Sequence, residues 1–92
     1  MTDAIRDGRE AARLLDHPLL VQAFELIEQD ITEQWKNSPV RDVDGREKLH
    51  LMERLLQRIK AQLRSVVENG QVVEATLQQS KATEMLNFIS NR

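Results

Sequence analysis

The chain has 92 residues, of which 40% are hydrophobic and 30% charged, with a formal net charge of −2. It has no cysteine and only three aromatic residues, so disulfides and thiolate chemistry are excluded and a core of aliphatic side chains is expected. No apolar run approaches the ~20 residues of a membrane span, and the first 18 residues do not resemble a secretory signal. We therefore expect one cytoplasmic domain that is not a general nucleic-acid binder.

Residues 1–15 predict a short N-terminal helix or a flexible arm. Gly8 interrupts this stretch at a cost of roughly 1 kcal/mol relative to Ala. A boundary follows at Pro18, which suits the first turn of a new helix and pushes the preceding residue out of the helical conformation. Either Asp16 or His17 would cap that new helix.

A second helix is predicted over residues 18–36. It ends before Ser38-Pro39, and residues 37–43 form a loop. The helix carries four acidic residues against one lysine. Its apolar residues recur every three or four positions, which is typical of a helix that packs along another helix: Leu20, Phe24, Ile27, Ile31 and Trp35.

The stretch 44–69 predicts the long helix around which the chain is organised. Asp44 and Glu47 have the spacing of a capping box at its start, and Gly70 follows it as a left-handed helix stop. Six basic residues outnumber four acidic ones, which complements the acidic second helix. The predicted seam with that helix is Leu49, Met52, Leu56, Ile59, Leu63 and Val66.

A third long helix is predicted over residues 71–90, with one face that packs on the first two: Val72, Ala75, Ala82, Leu86 and Ile89. The predicted fold is all-α, a single helical domain over residues 1–92. It is an antiparallel helical hairpin or three-helix bundle with helices at about 18–36, 44–69 and 71–90. A chain this short buries only about 60–65% of its unfolded surface, so we expect a homo-oligomer.

Catalytic and metal chemistry have no support in the sequence. Two histidines, no cysteine and scattered carboxylates do not form a cluster that could act as an acid–base pair or ligate a metal. His50 is interpreted as a boundary or surface residue and His17 as a turn or cap residue. We predict a non-enzyme without metal, cofactor, small-molecule substrate or membrane partner.

Protein interaction has positive support, because Leu51 and Leu55 widen the apolar surface of the long helix beyond what one antiparallel neighbour covers. Trp35, near a helix end, either closes the small core or anchors an interface, since Trp is enriched in interface hot spots. The candidate interface residues are Trp35, Leu51, Leu55 and Ile59.

A basic stripe on the long helix is the alternative site. Arg46, Arg54 and Arg58 are spaced in multiples of four residues, with His50 between them, and such a stripe could contact phosphates. Acidic neighbours and the negative net charge favour a solvated face, or pairing with the acidic helix. Nucleic-acid binding is therefore not the favoured interpretation.

Four short segments within residues 14–72 carry a resemblance to a group of known proteins: His17-Pro18-Leu19-Leu20, Trp35-Lys36-Asn37-Ser38, Gly45-Arg46-Glu47-Lys48-Leu49 and Glu68-Asn69-Gly70. In these the chain resembles small, uncharacterised helical proteins encoded in tailed-phage and prophage genomes, often near structural and packaging genes. The resemblance implies a phage-encoded accessory in virion assembly, located in the virion or the host cytoplasm. It carries no site residues over to this chain.

The sequence thus predicts a non-enzymatic helical interaction or structural component, with phage virion assembly as the setting that the resemblance implies. One alternative is a small nucleic-acid-binding regulator that uses the basic stripe. Another is a phage-encoded inhibitor that holds one host protein.

Overall fold

The computed structural model describes residues 2–90, and these form three α-helices without a strand. Helix α1 spans Thr2–Asp16, α2 spans Pro18–Asn37 and α3 spans Val43–Ser90. The all-α prediction is confirmed. Met1 and the last two residues, which the predicted single domain includes, lie outside the described residues.

Two side chains determine where α2 and α3 begin. His17 is the N-cap of α2, and its Nδ1 accepts a hydrogen bond from the Leu19 N–H at 3.2 Å. Asp42 does the same before α3, where its Oδ1 accepts from the Gly45 N–H at 3.0 Å. The predicted start at Asp44 is therefore wrong, because Asp42 supplies the cap and α3 already begins at Val43.

Helices α1 and α2 lie end to end along α3, and both run antiparallel to it. Glu28 of α2 contacts Gln57 and Lys60 of α3, whereas Trp35, further along α2, lies under Arg46. In α1, Arg9 pairs with Glu74 near the far end of this contact. Residue numbers thus rise along α1 and α2 as they fall along α3, which makes α2 and the first half of α3 an antiparallel hairpin.

The fold is extended rather than a compact bundle. Its principal extents are 78 × 25 × 17 Å and its radius of gyration is 21.4 Å. A compact chain of this length would have a radius of gyration of about 12 Å. Two helices in cross-section enclose little interior, so among the residues whose burial is described only four hydrophobic ones are buried: Ala11, Ile31, Leu49 and Leu56.

The predicted helix end at Asn69-Gly70 is wrong, and helices 44–69 and 71–90 are one continuous helix. Gly70 is buried and lacks the positive φ of a helix stop. It lies where the backbone of α1 crosses α3: a Cβ built on Gly70 would be 2.8 Å from the Ala4 carbonyl oxygen. Gly70 therefore allows a close helix crossing and does not end a helix.

The predicted packing of residues 71–90 onto the other two helices is also wrong. Val73, Glu74 and Leu77 are half-buried beside α1, but every residue from 78 to 89 is exposed. The predicted packing face, Val72 to Ile89, is exposed throughout. The physical reason is the extent of α1, which runs along α3 only as far as about Leu77, so the later turns of α3 extend past it.

Candidate protein interaction surface

The seam between α2 and α3 contains charged residues at positions where the sequence predicts apolar ones. Leu49 and Leu56 are buried and Leu63 is half-buried, as predicted. Between them the half-buried residues are Glu53 and Lys60. The predicted seam is wrong at Met52 and Ile59, and likewise at Ile27 of α2: all three are exposed.

A cluster of polar side chains that spans the hairpin explains why Glu53 and Lys60, rather than Met52 and Ile59, face α2. Lys60 donates a hydrogen bond to Glu28, and Gln57 donates another to the same Glu28 oxygen at 3.0 Å. The hydrogen bond from Lys60 holds the pKa of Glu28 below its ordinary value, opposed by partial burial and assisted by Gln57 and by the charge of Lys60. The Lys60 ammonium also lies 5.3 Å from the ring centre of Phe24. Because the side chains of Glu28, Gln57 and Lys60 have hydrogen-bond partners, they can lie in the seam while neighbouring apolar residues face outward.

Six of the exposed apolar residues of the hairpin share one side by helical spacing, and this surface is called here the apolar face. Exposed fractions of its members range from 45% to 69%, so each is accessible to a partner. The six residues of the apolar face are Leu19, Leu26 and Ile27 of α2 and Met52, Leu55 and Ile59 of α3.

Helix periodicity places the two halves of the apolar face on the same side of the hairpin. Beside the turn, Asp30 of α2 and both Lys48 and Met52 of α3 line one groove. Leu19 and Leu26 lie eleven and four residues before Asp30, and so share its stripe on α2. On α3, Lys48, Met52, Leu55 and Ile59 follow steps of four, three and four residues, which is again one stripe.

The other side of the hairpin is polar around one aromatic ring. Trp35 lines a groove there with Thr32, His50 and Glu53. The Arg46 guanidinium carbon lies 3.9 Å from the centre of the Trp35 ring. A cation at this distance is attracted to the ring face, so Arg46 covers a Trp that remains 41% exposed.

The four candidate interface residues are therefore divided between surfaces. Leu55 and Ile59 belong to the apolar face, and Leu51, four residues before Leu55, lies at its edge. Trp35 belongs to the polar side. Leu19 and Leu26 are not among the predicted interface residues, although their seven-residue spacing marks a second apolar stripe on α2 that the Leu20–Trp35 pattern does not include.

The basic stripe does not form a straight line along α3. Each step of four residues turns the direction by about 40°, so Arg58 points roughly 120° away from Arg46. Arg46 is already stacked on Trp35. Arg54 follows His50 towards the polar side, whereas Arg58 lies at the edge of the apolar face, three residues after Leu55.

Within residues 2–90, no group of three His, Asp or Glu side chains is placed to hold a metal ion. None of the three helices, over the part of the chain that is described, combines the length and apolar content needed to cross a bilayer.

Comparison of the chain with protein families, with curated proteins and with solved structures finds no match.

Proposed function

We propose that this protein is a non-enzymatic helical interaction component that self-associates through its apolar face. The observation that carries the proposal is six large apolar side chains on one side of a thin hairpin, each at least 45% exposed. Contiguous apolar surface of this kind marks interaction sites in proteins that otherwise keep such residues apart.

The accessible surface area supports the same proposal. The chain exposes 7712 Å². A folded monomer of 10.7 kDa exposes about 5,500 Å², so this chain has an excess of about 2,200 Å². A specific interface of standard size buries roughly 800 Å² per partner. Association of two copies through one such interface would therefore remove roughly a third of this excess.

The experiment compares the solution mass of three proteins by size exclusion with light scattering. The wild type should be a dimer or larger, and Leu55→Glu should be a monomer that retains its helical circular dichroism. Val72→Glu is the matched control, since Val72 is also an exposed apolar residue of α3 but lies outside the apolar face. Equal masses for all three proteins would refute a role for the apolar face.

The setting that we propose is the assembly of a tailed-phage virion, and it rests on the resemblance of residues 14–72. An assembly component should co-purify with assembly intermediates from infected cells. A host-directed inhibitor would instead capture one host protein from lysate. A nucleic-acid regulator would bind with a steep loss of affinity as salt is added. Because Arg46 is stacked on Trp35, fewer residues of the basic stripe remain for a nucleic-acid regulator to contact phosphates.

A further inference from the structure

We infer that the apolar face is covered by the apolar face of a second copy in a parallel arrangement, with both turns at the same end. The inference rests on the proposed function and adds the identity and orientation of the partner. In this dimer α2 of each copy lies over α3 of the other. The result is a four-helix arrangement of two stacked hairpins, in which all neighbouring helices are antiparallel.

The charges at the edges of the apolar face distinguish the two symmetric arrangements. On α2, the edge carries Asp30 and also Glu33, which lies seven residues after Leu26 and so shares its stripe. On α3, the edge carries Arg58 and Lys48. One edge is thus acidic and the other basic, within a single chain.

The positions of these residues along the hairpin axis determine which charges would face each other in a dimer. Asp30 lines a groove with Lys48 and Met52, and Ile31 lines another with Leu49 and Glu53, so Asp30 lies level with about residues 50–54 of α3. A two-fold axis along the hairpin keeps every residue at its own level while it exchanges α2 and α3. The partner's Asp30 then lies between the levels of Lys48 and Arg58, the two basic residues of the α3 edge, and this arrangement occurs twice in the dimer.

The antiparallel alternative brings like charges together. A two-fold axis across the hairpin places α2 over α2 and α3 over α3, so the acidic edges meet each other and so do the basic edges. Like charges in an interface cost free energy and exclude the wrong register, whereas complementary edges select the right one. Complementary charge therefore favours the parallel dimer.

The apolar centre of the face is compatible with a second copy. Ile27 and Ile59 both lie near its middle, and the side chains between them on this side are uncharged. An isologous interface needs a patch that is complementary to itself, which an uncharged apolar centre with one acidic and one basic edge satisfies.

A distance measurement on the intact chain tests the orientation. The protein has no cysteine, so Ser80→Cys introduces a single site for a spin label. Ser80 lies 21 residues beyond Ile59, so an antiparallel dimer separates the two labels by about 60 Å. A parallel dimer leaves only the lateral spacing of the helices plus the labels, about 30 Å or less. Pulsed electron resonance resolves these two values.

Charge reversal gives the second measurement. Arg58→Glu should weaken the dimer about tenfold or more, and Asp30→Arg in the same chain should restore it, because residues 30 and 58 then again carry opposite charges at facing edges. Arg54→Glu is the matched control, with the same charge change on the same helix but towards the polar side, and it should leave the dimer unchanged. Circular dichroism checks that each variant folds.

The outcomes separate the two proposals. A short label distance with rescue by the charge swap supports the parallel dimer. A dimer with labels about 60 Å apart, or one indifferent to Arg58→Glu, overturns the parallel arrangement and leaves self-association standing. A monomeric wild type overturns both.

Discussion

Gly8 of α1 and Gly70 of α3 meet backbone to backbone. A Cβ built on Gly8 would lie 3.0 Å from the Gly70 Cα and 3.1 Å from the Val66 carbonyl oxygen. Both glycines are buried within α-helices, where Gly is otherwise unfavourable by about 1 kcal/mol relative to Ala. The crossing therefore depends on the absence of a side chain at both positions.

Replacement of Gly70 by Ala should destabilise the protein, although Ala is the better helix former. The new methyl group would lie 2.8 Å from the Ala4 carbonyl oxygen, which belongs to backbone and can yield only if α1 shifts. We expect a lower midpoint of urea unfolding and a loss of α1 packing. Ser65→Ala, at an exposed position of α3, controls for helix propensity. A Gly70→Ala protein stabilised by about 1 kcal/mol would mean that propensity dominates and the crossing is not tight.

Leu55 and Leu56 are neighbours with opposite expected roles. Leu56 is 5% exposed in the seam, so Leu56→Ala should cost about 2–5 kcal/mol of unfolding free energy. Leu55 is on the apolar face, so Leu55→Ala should change the folding of the single chain little but weaken association. Urea unfolding at low protein concentration and dissociation on dilution measure the two effects separately. Identical behaviour of the two variants would contradict the assigned orientation of α3.

The contact of Arg46 with Trp35 should be visible in fluorescence. Trp35 is the only Trp, so its emission reports on this site alone. Arg46→Ala should change the emission and lower the unfolding free energy by about 0.5–1 kcal/mol, the usual worth of an exposed cation–π pair. Lys48→Ala, on the other side of the hairpin, should leave the emission unchanged. An unaltered spectrum in Arg46→Ala would argue against the stacking.

The pair of Glu28 and Lys60 predicts a stability component that is lost in acid. The pKa of Glu28 is lowered from its ordinary value of 4.5, chiefly by the hydrogen bond from Lys60. The folded state therefore holds the carboxylate more strongly than the unfolded state does. Its contribution is present above pH 4.5 and disappears as the pH falls through the folded-state pKa.

Glu28→Gln removes the titrating group while it keeps a similar shape. The variant should be less stable than the wild type near neutral pH and converge with it as the pH is lowered below 4.5. Thermal unfolding across a pH series measures this difference. A constant gap between the two proteins at every pH would show that the charge of Glu28 does not stabilise the fold.

The helical class, the break before Pro18 and the turn after residue 37 can be predicted from the sequence, because local chemistry determines these features. Gly70 is different. Asn69-Gly70 has the local chemistry of a helix stop, and only Gly8, far away in the sequence, shows why glycine is needed inside the helix. A contact between distant segments cannot be deduced from local punctuation.

The seam illustrates a second limit. Met52 and Glu53 both lie at helical spacing from Leu49 and Leu56, so periodicity allows either to face α2. Hydrophobicity alone favours Met52, and the same reasoning favours Ile59 over Lys60. The hairpin instead leaves Glu53 and Lys60 half-buried in the seam, because Gln57 donates a hydrogen bond to Glu53 and Glu28 accepts one from Lys60 across the seam. Because Glu53 and Lys60 face α2, Met52 and Ile59 face outward and form part of the apolar face.

The central claim is that the apolar face is covered by another copy of the chain. The most direct measurement is the wild-type solution mass by light scattering across a concentration series from nanomolar to high micromolar. We predict a mass at least twice the 10.7 kDa of the chain over the upper part of this range, with dissociation on dilution. A mass of 10.7 kDa at every concentration would contradict the account, since the apolar face would then remain exposed in solution.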